Sequence, residues 1–376
     1  MIIRSGIFLC LAFLLFSCVE EFQPELDEFD NLLVVDGEIT NEPGPYTINL
    51  SISSGLEIIK PEPVTGAQVV IIEEFGPAET LTEISPGTYQ TAEGGIQGQI
   101  GKKYKLTINL GGKKYESEYE LLKEPTDISS VDAQLEYRAF PDAPEEVPGI
   151  QFYVNTEASP HFKDYYLWRF EGTYKYQSSL LIYYVFEGTL YDFEDHDSLK
   201  TCYRTYKVGE VFTTNTDNLS VAQVNNKPLF FLPATDRKLT IRYSLLTKQY
   251  SISKEAYDFW HGIELQTSNN SSLYTSQPYQ IRGNLKNVTD PDEPVLGYFL
   301  VAGVSENRIF VERPSEVEIF IPDCALDYMA YAYIFDTGPD EWPIYVTQGE
   351  FGRAIAAPGC MDCRRLGGVL EQPDFW

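Results

Sequence analysis

The sequence predicts a mainly β protein: an N-terminal immunoglobulin- or transthyretin-like β-sandwich, then a larger β-rich domain with one amphipathic helix. Three observations lead there. Aromatic residues make up 14% of the chain, with 26 Tyr and 22 Phe, and these side chains suit a pleated, half-buried surface. Glycine and proline, 27 and 23 of them, punctuate the chain at the short intervals expected of turns between strands. Apolar residues alternate with polar ones in many short runs, whereas helical spacing is scarce.

The first element is not part of the fold. Arg4 precedes the uninterrupted apolar segment Ile7 to Phe16, which reads as the charged and hydrophobic regions of a secretory signal. A membrane-spanning helix needs about twenty apolar residues, so this segment is too short for one. It stops at Leu15-Phe16-Ser17-Cys18, which resembles a bacterial lipobox. That resemblance implies removal of residues 1–17 and lipidation of Cys18, with two or three acyl chains giving durable anchoring. A signal cut at a small residue, leaving Cys18 an ordinary secreted cysteine, is the alternative. Residues 18–30 carry Glu20, Glu21, Glu25, Asp27, Glu28 and Asp30 and no base. Strong self-repulsion and little apolar surface make this an acidic, solvated tether. A cysteine followed at once by acids also resembles the export signal of Bacteroidetes surface lipoproteins, and implies an outward-facing protein.

Residues 31–122 are expected to form the sandwich. "NLLVVDGEIT", "PYTINLSIS", "TGAQVVIIEE" and "GTYQTAE" are strands separated by turn residues. In "GKKYKLTINLGGKKYESEYELL", Tyr104, Leu106, Ile108 and Leu110 alternate with Lys103, Lys105, Thr107 and Asn109, giving one apolar and one wet face. Gly111-Gly112 supplies the positive φ of a tight hairpin. "KEPTDISS" marks the boundary, and residues 128–376 form the second domain. Its strands include "GIQFYVNTEA", "KDYYLWRFEGTYKYQ", "SLLIYYVFEGTLY", "KLTIRYSLLT", "VLGYFLVAGV", "NRIFVER" and "YMAYAYIF". The helix starts near Ser253 as N-cap, and Ala256, Phe259, Trp260 and Ile263 form its apolar stripe.

The net charge of −28 argues against nucleic-acid binding and against anionic membrane surfaces, since both depend on cationic contacts. Once Cys10 leaves with the signal and Cys18 is lipidated, Cys202, Cys324, Cys360 and Cys363 remain. An even count in an exported chain reads as disulfides. Four cysteines permit three pairings. The preferred reading joins Cys202 and Cys324 each to the tail, because closing long loops restricts the unfolded chain most, and it leaves open which tail cysteine each takes. Cys360-x-x-Cys363 as a redox pair, and a four-cysteine zinc site, are the alternatives.

"QPYQIRGNLKNVTDPDEPVLGYFLVAG" and the closing "CMDCRRLGGVLEQPDFW", together with the lipobox and "LLVVDGEIT", resemble a Bacteroidetes lipoprotein family known as domain of unknown function 4249. The resemblance implies an outer-membrane lipoprotein, often encoded beside a TonB-dependent receptor. It implies no activity, cofactor or catalytic residue.

Other constellations are weaker. Tyr166, Trp168, Tyr174, Tyr176, Tyr183 and Tyr184 are candidates for stacking on a ligand, although most of this aromatic band is expected to fill a sheet core. Asp192, Glu194, Asp195, His196 and Asp197 supply hard oxygens without the order of a calcium loop, so a solvated loop is expected and no metal. "GGIQGQIGKK" looks like a phosphate loop but has Ile96 in place of the first glycine and Lys103 in place of the magnesium-binding hydroxyl. No Gly-x-Ser-x-Gly or His-Glu-x-x-His motif occurs, and His161, His196 and His261 are the only histidines. The expected function is that of a non-catalytic binding or accessory component of a TonB-dependent uptake system, taking a nutrient or other surface ligand. Adhesion or matrix binding is the second reading, and a surface glycan or peptide hydrolase the third.

Overall fold

The structure is a computed structural model that describes residues 32–53, 61–141, 143–159, 163–234, 237–268, 281–319, 321 and 323–376. Cys18, the lipobox, the acidic tether and His161 lie outside the described residues. In chain order the principal strands of the first segment are β1 (Leu33–Thr40), β2 (Thr47–Ile52), β3 (Gln68–Glu73), β4 (Lys103–Leu110) and β5 (Lys113–Ser117). Then come β6 (Ile128–Arg138), β7 (Val147–Thr156), β8 (Tyr165–Gln177), β9 (Thr201–Lys207), β10 (Lys227–Pro233) and β11 (Arg242–Ser251). Helix α1 (Lys254–Ser268) follows, then β12 (Leu285–Asn287), β13 (Leu296–Glu312) and the short helix α2 (Tyr328–Tyr333). The protein is mainly β, as its composition predicts.

A ten-stranded sheet organises the molecule, with β9-β8-β11-β13-β1-β2 as its centre. β1 runs parallel to β13, from Val34 opposite Leu296 to Thr40 opposite Ala302. The expected strands "VLGYFLVAGV" and "NRIFVER" are one continuous strand, β13. The sheet therefore contains strands from both sides of the "KEPTDISS" segment.

Period-two alternation along β13 sorts its side chains between two faces. On one face Phe299 and Val301 join Val35, Ile39 and Ile48 against Val69, Ile71, Leu106 and Ile108 of the sheet formed by β3, β4, β5 and β12. This is the first sandwich. Further along the same face, Val311, Leu245, Trp168 and Phe170 pack on Ile150, Phe152, Phe230 and Leu232 of the β6-β7-β10 sheet. Trp168 is fully buried and donates its indole N–H to Gln249 at 2.9 Å. Its apolar burial contributes about 1.5–3 kcal/mol.

The boundary segment crosses the shared sheet between these two cores and is hydrogen-bonded to it. The Thr126 carbonyl accepts from Gln249 Nε2 at 2.7 Å and Ser305 Oγ at 2.8 Å, while its amide donates to Ser251 Oγ at 3.1 Å. Gly303 makes the crossing fit. A Cβ there would lie 2.2 Å from the Lys123 carbonyl oxygen and 2.8 Å from Pro125 N.

On the opposite face, Tyr165, Leu167, Tyr250, Ile252, Tyr298, Leu300 and Val304 receive Ala256 and Phe259 of α1. Ser253 caps this helix as the sequence predicts, accepting from the Ala256 amide at 3.0 Å. Beside the cap, Glu120 is 8% exposed. It accepts from Tyr298 and from Asn284 Nδ2 at 3.1 Å, and Ser253 Oγ lies at 3.5 Å. Burial pushes its carboxyl pKa up to about 7, and the hydrogen bonds only partly offset this.

The Gly111-Gly112 hairpin forms with φ of 57° and 83°. "YMAYAYIF" is not a strand: Asp327 caps α2 by accepting from the Ala330 amide at 2.7 Å, and a 3-10 turn continues it over Ile334–Asp336. Ala330 and Ala332 favour the helix, and pairing with the sheet ends at Asp327, which bridges Ile355 just before the helix begins. Cys202 is bonded to Cys363, and Cys324 to Cys360. The two cysteines of the Cys-x-x-Cys motif thus belong to different bridges, each to one upstream cysteine, and the structure selects between the two pairings that this reading left open.

Two outcomes follow from these contacts. Gly303→Ala is expected to destabilise the protein by about 1–3 kcal/mol in chemical denaturation, while Gly209→Ala, with nothing within 4 Å, is expected to be neutral. Glu120 binds its proton more tightly folded than unfolded, where its pKa is near 4.5. Its contribution is complete below pH 4.5 and is lost as pH rises through about 7. Glu120→Gln should therefore flatten stability over that window and raise it at pH 8 by about 2–3 kcal/mol, read by melts across pH.

Candidate functional site

The sheet face that carries α1 is only partly covered. At its other end the tail lies down: Phe375 stacks under the Arg308 guanidinium at 3.5 Å, and Trp376 packs against Tyr203 and Phe310. Between helix and tail the floor is polar. A cleft of about 350 Å³ is lined by Glu38, Arg169, Glu171, Leu246, Lys248, Tyr250 and the segment Lys207–Val211. A neighbouring cleft of about 400 Å³ shares Glu38, Arg169 and Lys207 and extends to Glu42, Tyr46 and Asn49.

Strand alternation explains why charges collect here. Tyr166, Trp168 and Phe170 of β8 point into the core, so Arg169 between them must face the other way. Arg169 reaches past β11 and β13 to donate to Glu38 on β1 at 2.5 Å. Its guanidinium lies 4.8 Å from the Trp260 ring of α1 and 5.3 Å from the Tyr250 ring. Burial works against its charge, but Glu38, Tyr250 and Asp36 together outweigh it and hold its pKa above the usual arginine range. The Tyr250 hydroxyl donates to Glu38 at 3.3 Å, and burial together with the Glu38 charge raises its pKa. Lys248 donates to both oxygens of Glu42 at 2.8 and 2.9 Å. Burial opposes its charge, the Glu42 contact favours it, and its pKa is raised on balance. Lys207 on the rim is exposed and makes no ion pair among the described residues. The cleft offers donors and acceptors of both signs on a rigid sheet, an arrangement suited to holding a polar ligand.

Of the residues singled out from the sequence, Tyr166, Trp168 and Tyr176 are at most 1% exposed. They belong to the core and present no face to a ligand. Tyr174 is also buried, bordering a pocket with Tyr206. Only Tyr183 and Tyr184 are half-buried: Tyr183 packs on His196, and Tyr184 lies under Arg353. Neither reaches the cleft. Among the described residues no three of His, Cys, Asp and Glu converge as a metal-holding group.

The phosphate-loop look-alike spends its amides internally, since Glu79 accepts from the Ile96 N–H, the Tyr46 hydroxyl from Gly98 N–H at 3.1 Å and the Tyr104 hydroxyl from Gln99 N–H at 2.9 Å. His261 meets Thr213 Oγ1 at 3.0 Å and Glu264 Oε2 at 3.2 Å. Both contacts fall on Nδ1, so the ring does not bridge a hydroxyl nucleophile to an acid as a catalytic triad requires. The cleft residues Glu38, Arg169, Lys248 and Tyr250 were not legible as a site. The available signal was a lone arginine amid core aromatics in "YYLWRFEG", a charge that must find a partner on the opposite face.

A comparison with curated proteins finds no match. The family model described as "Domain of unknown function (DUF4249)" matches residues 19–308. That span holds β1 and all but the end of β13, and stops before Cys324, Cys360 and Cys363. On this match over most of its length, the chain belongs to the DUF4249 family.

Proposed function

We propose that this protein is a surface-exposed outer-membrane lipoprotein that acts as a non-catalytic binding or accessory component of a TonB-dependent uptake system. The observation that carries the binding reading is the state of the cleft acids. Glu38 is clamped by Arg169 and Tyr250, and Glu42 by Lys248. Carboxylates held by fixed partners are acceptors of set position, and a rigid sheet presents them at little cost in ordering.

The location rests on the sequence: the lipobox ending at Cys18 and the acidic run that follows it. Among the described residues no helix is long and apolar enough to cross a membrane, which fits attachment through acyl chains. An acidic tether carries the sheets away from the bilayer, and the strongly negative chain stays soluble beside an anionic surface.

Affinity capture from gently solubilised native membranes should recover a TonB-dependent receptor with the protein. Removing Cys18 by substitution to Ala should release the protein from the membrane fraction. Consistent absence of any such receptor, with normal nutrient uptake and lost surface attachment in a deletion strain, would favour the adhesive reading instead.

A further inference from the structure

Beyond the last residue of the family match, the chain builds a small lobe whose outer side is apolar. Helix α2 reads Tyr-Met-Ala-Tyr-Ala-Tyr, carries no charge and buries none of its residues. It lies against a hairpin of two further strands, β14 (Ile344–Gly349) and β15 (Gly352–Ala354). Its inner side is accounted for. Tyr331 joins a small core with Phe186, Ile334 and Val346, and Tyr328 meets Phe351 edge-on at 5.6 Å. Its outer side is not. Met329 and Tyr333, four residues apart and so on one helix face, are 71% and 62% exposed. Phe335 follows at 54%, and Phe351 projects from the hairpin tip at 81%. At about 200 Å² per large side chain, these four expose roughly 500 Å². A patch of that size with a polar rim is the signature of a contact surface.

The charges of this segment have one sign. From Asp327 to Gly352 the chain carries five acids and no base. Asp327 is spent on the helix cap. Asp336, Asp340, Glu341 and Glu350 are exposed, and none makes an ion pair among the described residues. The next base, Arg353, is turned inward: its guanidinium lies 4.0 Å from the Tyr184 ring and 3.4 Å from the Tyr331 hydroxyl. The surface is also held in shape. Cys324–Cys360 ties the segment entering α2 to the turn after β15, and Asp327 bridges Ile355. A preformed surface gives up little freedom when it binds.

We infer that this face docks a partner protein presenting an apolar ridge flanked by lysines or arginines. Exposed Met, Phe and Tyr supply the contact area of an interface centre, and the acidic rim attracts a cationic rim while rejecting an anionic one. A second copy of the chain is a poor fit, because a two-fold contact sets the same patch against itself and so acids against acids. An anionic bilayer meets the same repulsion. The inference uses neither the charged cleft nor the placement of the protein at a membrane.

Fluorescence anisotropy on the full chain tests it with three labelled peptides: an amphipathic Leu/Lys helix, the same pattern with Glu for Lys, and the same pattern with Ser for Leu. The Leu/Lys peptide should bind and weaken as salt is added. The Leu/Glu and Ser/Lys peptides should bind at least about tenfold more weakly. Because the whole chain is acidic, substitutions locate the contact. Met329→Ser with Phe351→Ser should weaken the Leu/Lys peptide about tenfold or more, with circular dichroism and a free-thiol assay showing fold and bridges intact. Phe75→Ser, which removes an equally exposed side chain from another hairpin, should change nothing. Asp340→Lys with Glu341→Lys reads the rim independently and should narrow the preference for Leu/Lys over Leu/Glu. Unaltered affinity in the Met329/Phe351 variant, equal binding of the three peptides, or an unchanged preference in the Asp340/Glu341 variant would overturn the assignment. So would a dimer in sedimentation, or binding to neutral phosphatidylcholine vesicles, that the Met329/Phe351 variant abolishes; these outcomes give the face to a second copy or to lipid.

Discussion

The parallel pairing of β1 with β13 is the constraint on which the rest of the molecule depends. It joins a strand near residue 35 to one near residue 300 along a seven-residue register. Strands that pair in parallel cannot be linked by a tight turn, and here residues 41–295 serve as the connection. Because β13 also pairs with β11, the ladder fuses strands of both sequence segments into one sheet. β13 then gives Phe299 and Val301 to the first core and Val311 to the second. The boundary segment is pressed between the cores over Gly303, so what reads as a linker is a strap across a shared wall.

The same alternation that fills two cores on one face lines the charged cleft on the other. Where α1 covers that face it is apolar. Where neither α1 nor the tail covers it, residues such as Arg169, Glu171 and Lys248 emerge between core aromatics. A charge fixed on a sheet with limited solvent must pair or lose stability. Glu38 and Glu42 supply those pairs from β1 and the turn that follows it. The cleft is thus assembled only when β1 takes its place beside β13.

Much of the local structure was legible in the sequence, and the reasons are local. Alternation over Lys103–Leu110 marked a strand, Gly111-Gly112 marked its turn, and Ser253 with its apolar stripe marked α1. Loop closure pointed to a bridge from each of Cys202 and Cys324 to the tail, but which tail cysteine each takes, Cys363 and Cys360 respectively, was set only by the fold. The union of the two segments left no local signal, because a parallel partner some 260 positions away alters neither composition nor periodicity. "YMAYAYIF" misled because aromatic richness resembles a strand, while Asp327 as cap and two alanines decided for a helix. The aromatic candidates misled in the opposite sense: Tyr166, Trp168 and Tyr176 supply core, and the groups that line the cleft are the charges between and beyond them.

Hydrogen exchange on the full chain tests the shared sheet most directly. If the β1–β13 ladder unites both sandwiches, amides of Leu33–Thr40, Tyr165–Gln177 and Leu296–Glu312 should fall in the slowest-exchanging class and open together as denaturant is raised. Exchange of Leu33–Thr40 and Lys103–Leu110 through a separate, lower-energy opening, with Tyr165–Gln177 still protected, would contradict it.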